Sequence, residues 1–126
     1  MDLFKLNHFM TLERSICPWL STQSMQDIIS ELKSEILELE AEMVKDNPNS
    51  TNIAEELADV LSDVLLLMHV AERDIIIKSK EDIVDRAYNK KIRRKGWLLE
   101  NKQLSLQEAS NYWHHAKDME KKEQNN

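Results

Sequence analysis

Apolar residues recur at helical spacing in two neighbouring stretches of this chain. Met25, Ile28, Ile29, Leu32, Ile36, Leu39 and Met43 fall on one stripe, because a helix turns through about 100° per residue. Glu31, Glu35, Glu38 and Glu42 run beside that stripe, not opposite it. In the next stretch Ile53, Leu57, Val60, Leu61, Val64, Leu65 and Met68 share a face, while Leu66, Leu67 and Val70 make the other side apolar too. A helix that is apolar nearly all round is a buried helix. Glu56, Asp59 and Asp63 are therefore expected where solvent is scarce. Between the stripes, Asp46-Asn47-Pro48-Asn49-Ser50-Thr51-Asn52 is polar and rich in turn formers. A loop of that length predicts an antiparallel helical hairpin.

Such a hairpin sets Glu35-x-x-Glu38 across from Glu56-x-x-Asp59. Buried carboxylates are paired, protonated or bound to metal, because an isolated one is costly. Four oxygen ligands with no His or Cys beside them suit a hard cation, Mg²⁺ or Mn²⁺. The competing reading is a pair of solvated acidic faces, to which the first helix taken alone conforms.

The flanking segments also read as helix. Residues 3–15 predict a short helix with Leu3, Leu6, Phe9, Met10 and Leu12 as packing residues. Cys17-Pro18 ends it, since a residue before proline is biased away from helix. Ser21, Thr22 or Ser24 offers an N-cap for the first acidic helix. Ile75-Ile76-Ile77 reads as an apolar plug near a helix end. A further helix is expected from about Ser79, with Ile83, Val84, Ala87, Tyr88 and Ile92 inward. It closes on Lys90-Lys91-Ile92-Arg93-Arg94-Lys95 and Gly96, a pattern that fits helix termination and phosphate binding alike. Ser105-Leu106-Gln107-Glu108 is a capping box opening a last helix, with Leu106, Ala109, Trp113 and Ala116 inward and Lys117 one turn past Trp113. The tail from about 120 to 126 is expected to fray, and His114 and His115 read as surface residues.

Composition narrows the class. With 126 residues, one Gly and two Pro, the chain reads as a single all-α domain over 1–126. A net charge of −6 argues against a nucleic-acid binder. The lone Cys17 excludes an internal disulfide and reads as a small packing residue. No apolar run approaches the roughly 20 residues of a membrane span, and Met1-Asp2-Leu3-Phe4-Lys5 lacks a signal-peptide pattern. A cytoplasmic protein without membrane association is expected.

Over about residues 9–120 the chain resembles the MazG-type nucleoside triphosphate pyrophosphohydrolases, an all-α family. Cys17-Pro18-Trp19 with Gln23 and Ser24 resembles the family's C-P-W-D-x-x-Q-T segment. Glu35-x-x-Glu38 resembles the later acids of its E-E-x-x-E motif, and Glu56-Leu57-Ala58-Asp59 its E-x-x-D motif. Lys90-x-x-Arg93-Arg94 resembles K-x-x-R-R, and Trp113-x-x-x-Lys117 the late W-x-x-x-K. Ser34 stands where the first Glu is usual, Leu20 replaces the Asp after Pro-Trp, and the His-Pro-His run after the arginines is absent.

The resemblance implies a helical bundle completed by oligomerisation, as a homodimer or homotetramer, which would account for an acidic helix apolar on both sides. It implies hydrolysis of a nucleoside triphosphate to a monophosphate and pyrophosphate in nucleotide-pool housekeeping, with Mg²⁺ (or Mn²⁺) on Glu35, Glu38, Glu56 and Asp59. Glu38, aided by Glu35, would activate water. Lys90, Arg93, Arg94 and Lys117 would bind phosphate, while Trp19 and Trp113 would stack on a base or fill the core. Two alternatives stand beside this: a dUTP or phosphoribosyl-ATP pyrophosphatase, and a helical interaction protein weakened in catalysis at Ser34 and Leu20.

Overall fold

A computed structural model describes residues 1–125. The chain is all-α: α1 (Leu3–Ile16), α2 (Pro18–Ser21), α3 (Met25–Met43), α4 (Ser50–Arg73), α5 (Lys80–Lys95) and α6 (Leu106–Gln124), with a 3-10 turn at Gly96–Glu100. The described residues contain no strand. They form two compact units, Met1–Lys80 and the segment from Glu81 onward.

Local chemistry accounts for the boundaries. Asp2 caps α1 through Lys5 N–H, and Cys17, extended before Pro18, separates α1 from α2. Of the three residues expected to cap α3, Ser24 does so, in a reciprocal capping box with Asp27. Asn49 caps α4 by accepting from Thr51 and Asn52 N–H. The predicted Ser105–Glu108 box opens α6.

The first unit is the α3/α4 hairpin braced by α1 and α2. Its core is Leu20, Ile28, Leu66 and Val70, against which Cys17, Met25 and Leu67 pack. Ile28 opens α3 while Leu66 and Val70 lie late in α4, so the two helices run antiparallel, as the loop predicts. At the turn Glu42 is buried and accepts from Lys45 Nζ and Asn52 Nδ2, which satisfies its charge. His69 Nε2 donates to Asn7 Oδ1 at 2.8 Å, pinning α1 to α4. Glu72 accepts from Arg14 and from the N–H of Lys80. Arg73 reaches back to α2, donating to the carbonyls of Leu20 (3.0 Å) and Gln23 (2.7 Å).

Several expectations need correction. The Ile75–Ile77 stretch lies at a helix end as expected but is no plug: Ile75 is 88% and Ile76 60% exposed, and Ile77 alone is half-buried. It closes α4, with Ile75 N–H donating to Glu72 O and Ile76 N–H to Ala71 O, the pairing of a Schellman cap. Ile75 takes φ 58°, the left-handed position that usually belongs to glycine. On α4, Leu57, Leu61 and Val64 are exposed in the single chain, and so is Asp59. Of the α1 packing residues only Met10 is buried.

In the second unit α5 and α6 contain no buried residue. Val84, Ala87, Tyr88 and Leu106, expected inward, are exposed, whereas Ile83, Ile92, Ala109, Trp113 and Ala116 are half-buried. Helix α6 runs through the tail expected to fray, as far as Gln124, because Glu120 is tied to Arg93 and Arg94. Residue 126 lies outside the described residues.

Candidate active site

The i, i+3 spacing of Glu35 and Glu38 turns both toward α4, where Glu56 meets them. One oxygen from each of the three lies within 4.8 Å of the others. Glu35 and Glu56 are half-buried, Glu38 is exposed, and among the described residues no lysine or arginine forms an ion pair with any of the three. Glu35 Oε2 and Glu56 Oε2 are buried without a hydrogen-bond partner. Burial, reinforced by the neighbouring Glu38 carboxylate, lifts the Glu35 carboxyl to about 7. Burial, then the charges of Glu38 and Asp59, lifts Glu56 as well.

Asp59, one turn beyond Glu56, is exposed and outside this three-oxygen group, although its charge acts on Glu35, Glu56 and Asp63. A second triad shares Glu35: Glu31, Glu35 and Asp63 bring oxygens within the same 4.8 Å. Asp63 is 8% exposed and its Oδ2 lacks a partner. Burial, followed by the charges of Glu31 and Asp59, raises its carboxyl to about 6.

Mutually repelling, half-buried carboxylates with unpaired oxygens are the donor set that hard divalent ions take.

The cationic candidates lie in the second unit. Arg93 Nε and Arg94 Nη2 donate to Glu120 at 3.1 and 3.0 Å. The Trp113 ring carries Lys117 Nζ at 4.6 Å and the Arg94 guanidinium at 5.5 Å from its centroid. Lys90, Lys91, Arg94, Lys95 and Trp113 line a cavity of about 290 Å³. Arg94 keeps Nε buried without an acceptor, so this cluster retains a donor for an anion. Trp19 belongs to the first unit and is 48% exposed, so it is no core residue.

Comparison with known proteins speaks to this arrangement. The MazG nucleotide pyrophosphohydrolase domain matches residues 23–99. A crystal structure of a mazG-related protein from Thermotoga maritima superposes with a TM-score of 0.83 at 35% identity, over 92% of this chain and 99% of that one. The chain belongs to the MazG family. Among curated proteins, none matches it.

The two departures from the MazG pattern have different surroundings. Leu20, where the pattern has Asp, is 0% exposed and sits at the centre of the core. Ser34, where the pattern has Glu, is exposed on α3. Glu31 and Asp63 were not among the ligands expected from the motifs. Their signals were present: Glu31 precedes Glu35 by one turn, and Asp63 interrupts an apolar run.

No helix among the described residues is long and apolar enough to cross a membrane.

Proposed function

We propose that this MazG-family protein is a metal-dependent nucleoside triphosphate pyrophosphohydrolase that serves nucleotide-pool housekeeping. The observation that carries the reading is the Glu35–Glu38–Glu56 cluster, with two buried carboxylate oxygens that nothing satisfies. Glu35, Glu38 and Glu56, with Asp59 one turn along, would hold Mg²⁺ or Mn²⁺. Such an ion would supply Lewis acidity, neutralising phosphate oxygens and making a nearby water more acidic.

The chain's own groups do the rest. Glu38, the exposed member, orients the attacking water and accepts its proton, with Glu35 beside it. The water oxygen bonds to the α-phosphorus as the α–β bridging bond breaks, giving a nucleoside monophosphate and pyrophosphate. Lys90, Arg93, Arg94 and Lys117 are suited to hold phosphate charge, and the free Arg94 Nε supports that role. Glu120 competes for Arg93 and Arg94, so these two exchange one carboxylate for phosphate. Trp113, already stacked with cations, orients Lys117 and Arg94 more directly than it meets a base. A second copy of the chain covers Leu57, Leu61 and Val64, which lie on one exposed face of α4.

The test is pyrophosphate release from a panel of nucleoside triphosphates with Mg²⁺, for wild type, Glu38→Gln, Glu56→Gln and Asp59→Asn. Turnover that requires the metal and collapses in the variants supports the reading. A folded, metal-loaded protein that releases no pyrophosphate from any of them refutes it and leaves the helical interaction protein.

A further inference from the structure

Four rungs join α3 to α4 on the face that carries the acids. Nearest the loop, Asn52 Nδ2 donates to Glu42 Oε1 at 3.2 Å, and Lys45 Nζ pairs with the other oxygen of the same carboxylate. Four, three and four residues further along each helix, Glu38 meets Glu56, Glu35 comes level with Asp59, and Glu31 meets Asp63. The first rung is hydrogen-bonded, whereas the other three set acid against acid. The two ends of this ladder are held differently. At the far end the Glu31–Asp63 rung borders a cavity of about 320 Å³ that Phe9, Met10, Trp19 and Leu66 also line, and the core of Ile28, Leu66 and Val70 lies just past it. At the loop end Leu37, Met43, Val44 and Leu57 are exposed, and Glu42 is the buried residue that α3 and α4 present there.

We propose that Glu42, clamped by Asn52 and Lys45, is a positioning residue for the metal cluster. It fixes the register and separation of α3 and α4, so that Glu35, Glu38 and Glu56 face one another before a cation arrives. The inference rests on the metal-dependent reading above. Apolar packing at the loop end is thin, so register there depends on the clamp. A buried carboxylate with a partner on each oxygen resists sliding, because any slip strands it without donors. The clamp acts on both helices at once. Glu42 lies one turn past Glu38 and Asn52 one turn before Glu56, while Asn49 caps α4 through the N–H groups of Thr51 and Asn52. Holding ligands in the bound arrangement beforehand removes the cost of gathering them, which raises affinity for the ion.

The experiment adds Mn²⁺ to the nucleotide-free protein, reading free Mn²⁺ by electron paramagnetic resonance, and measures thermal midpoints and pyrophosphate release alongside. Asn52→Asp sets a carboxylate against Glu42, and Asn52→Leu removes the donor without adding charge. Both should weaken Mn²⁺ binding by about tenfold, within the range seen when the groups supporting metal ligands are removed. The sign is diagnostic, because a new anion one turn from Glu56 and in the first turn of α4 would by charge alone tighten cation binding and favour the helix. Glu42→Gln combined with Asn52→Asp exchanges donor and acceptor at constant length and net charge, and should restore the wild-type affinity. Wild-type affinity in both single variants, with or without a lowered thermal midpoint, overturns the positioning role while leaving the hydrolase standing. So does tighter binding in Asn52→Asp, or a double variant no better than Asn52→Asp. Mn²⁺ binding that follows the whole cycle, with no pyrophosphate released from any nucleoside triphosphate, supports the clamp and removes the hydrolase.

Discussion

Leu20 occupies the place where the family pattern puts an aspartate, and restoring that aspartate should unfold the protein. The residue is 0% exposed, among Ile28, Leu66 and Val70, and the cation beside it, Arg73, donates to its backbone carbonyl and is already paired with Asp74. Removing the leucine side chain costs about 3–5 kcal/mol in a core that cannot collapse around the gap. Holding the new carboxyl neutral at pH 7 costs up to about 4 kcal/mol more, from roughly three pH units at about 1.4 kcal/mol each. Together these approach the whole stability of an ordinary domain, about 5–15 kcal/mol. Urea unfolding of Leu20→Asp, Leu20→Asn and Leu20→Ala separates the two effects. Leu20→Ala and Leu20→Asn should lose stability by amounts independent of pH. Leu20→Asp should match Leu20→Asn near pH 4 and then weaken by about 1.4 kcal/mol per pH unit above it. A Leu20→Asp protein as stable as wild type at pH 7, or one whose loss ignores pH, would refute the assignment of Leu20 to the core.

The remaining predictions concern charge and backbone. The raised carboxyls of Glu35 (about 7) and Asp63 (about 6) hold protons that the unfolded chain releases near 4, so metal-free stability should fall as pH rises from about 4.5 to about 7. Mg²⁺ at a hundredfold excess over its dissociation constant should add about 2.7 kcal/mol, most visibly at the upper end of that range. A thermal midpoint that climbs with pH and ignores Mg²⁺ contradicts both statements. Glu72 runs the other way: Arg14 and the Lys80 N–H depress it to about 2, so its contribution is present above about 4.5 and lost as pH falls through about 2. Glu72→Gln should cost about 1–3 kcal/mol at neutral pH and flatten the acid limb of the stability profile, measured by denaturant unfolding. Ile75→Gly should stabilise by about 1 kcal/mol, because a β-branched residue at φ 58° bears strain that glycine does not. Differential scanning calorimetry checks this, and a lowered melting temperature counts against strain at Ile75.

How much of this was legible in the sequence depended on whether it was local. The α3/α4 hairpin came from two long stripes and a polar loop, and Glu35, Glu38 and Glu56 met because i, i+3 spacing and antiparallel packing leave little freedom. Capping boxes at Ser24 and Ser105 are likewise short-range chemistry. The exposure of Leu57, Leu61 and Val64 was not legible, since periodicity finds an apolar face but not what covers it. Val84, Tyr88 and Leu106 failed for the same reason. The Ile75–Ile77 turn was misread because hydrophobicity outweighed a cap geometry that normally announces itself with glycine. Glu31 and Asp63 were visible as acids, but their shared cavity also needs Phe9 and Trp19, brought in by α1 and α2.

The link from Arg73 to the carbonyls of Leu20 and Gln23 has a consequence for motion. A single helical turn such as α2 has almost no stability of its own, so Trp19 keeps its place through the packing of Leu20 in the core and the grip of Arg73 at the far end of α4. The last turn of α4 and the Trp19 wall should therefore open as one cooperative unit in native-state hydrogen exchange. The Trp19 wall is thus tied to a helix end that carries none of the cavity's lining residues.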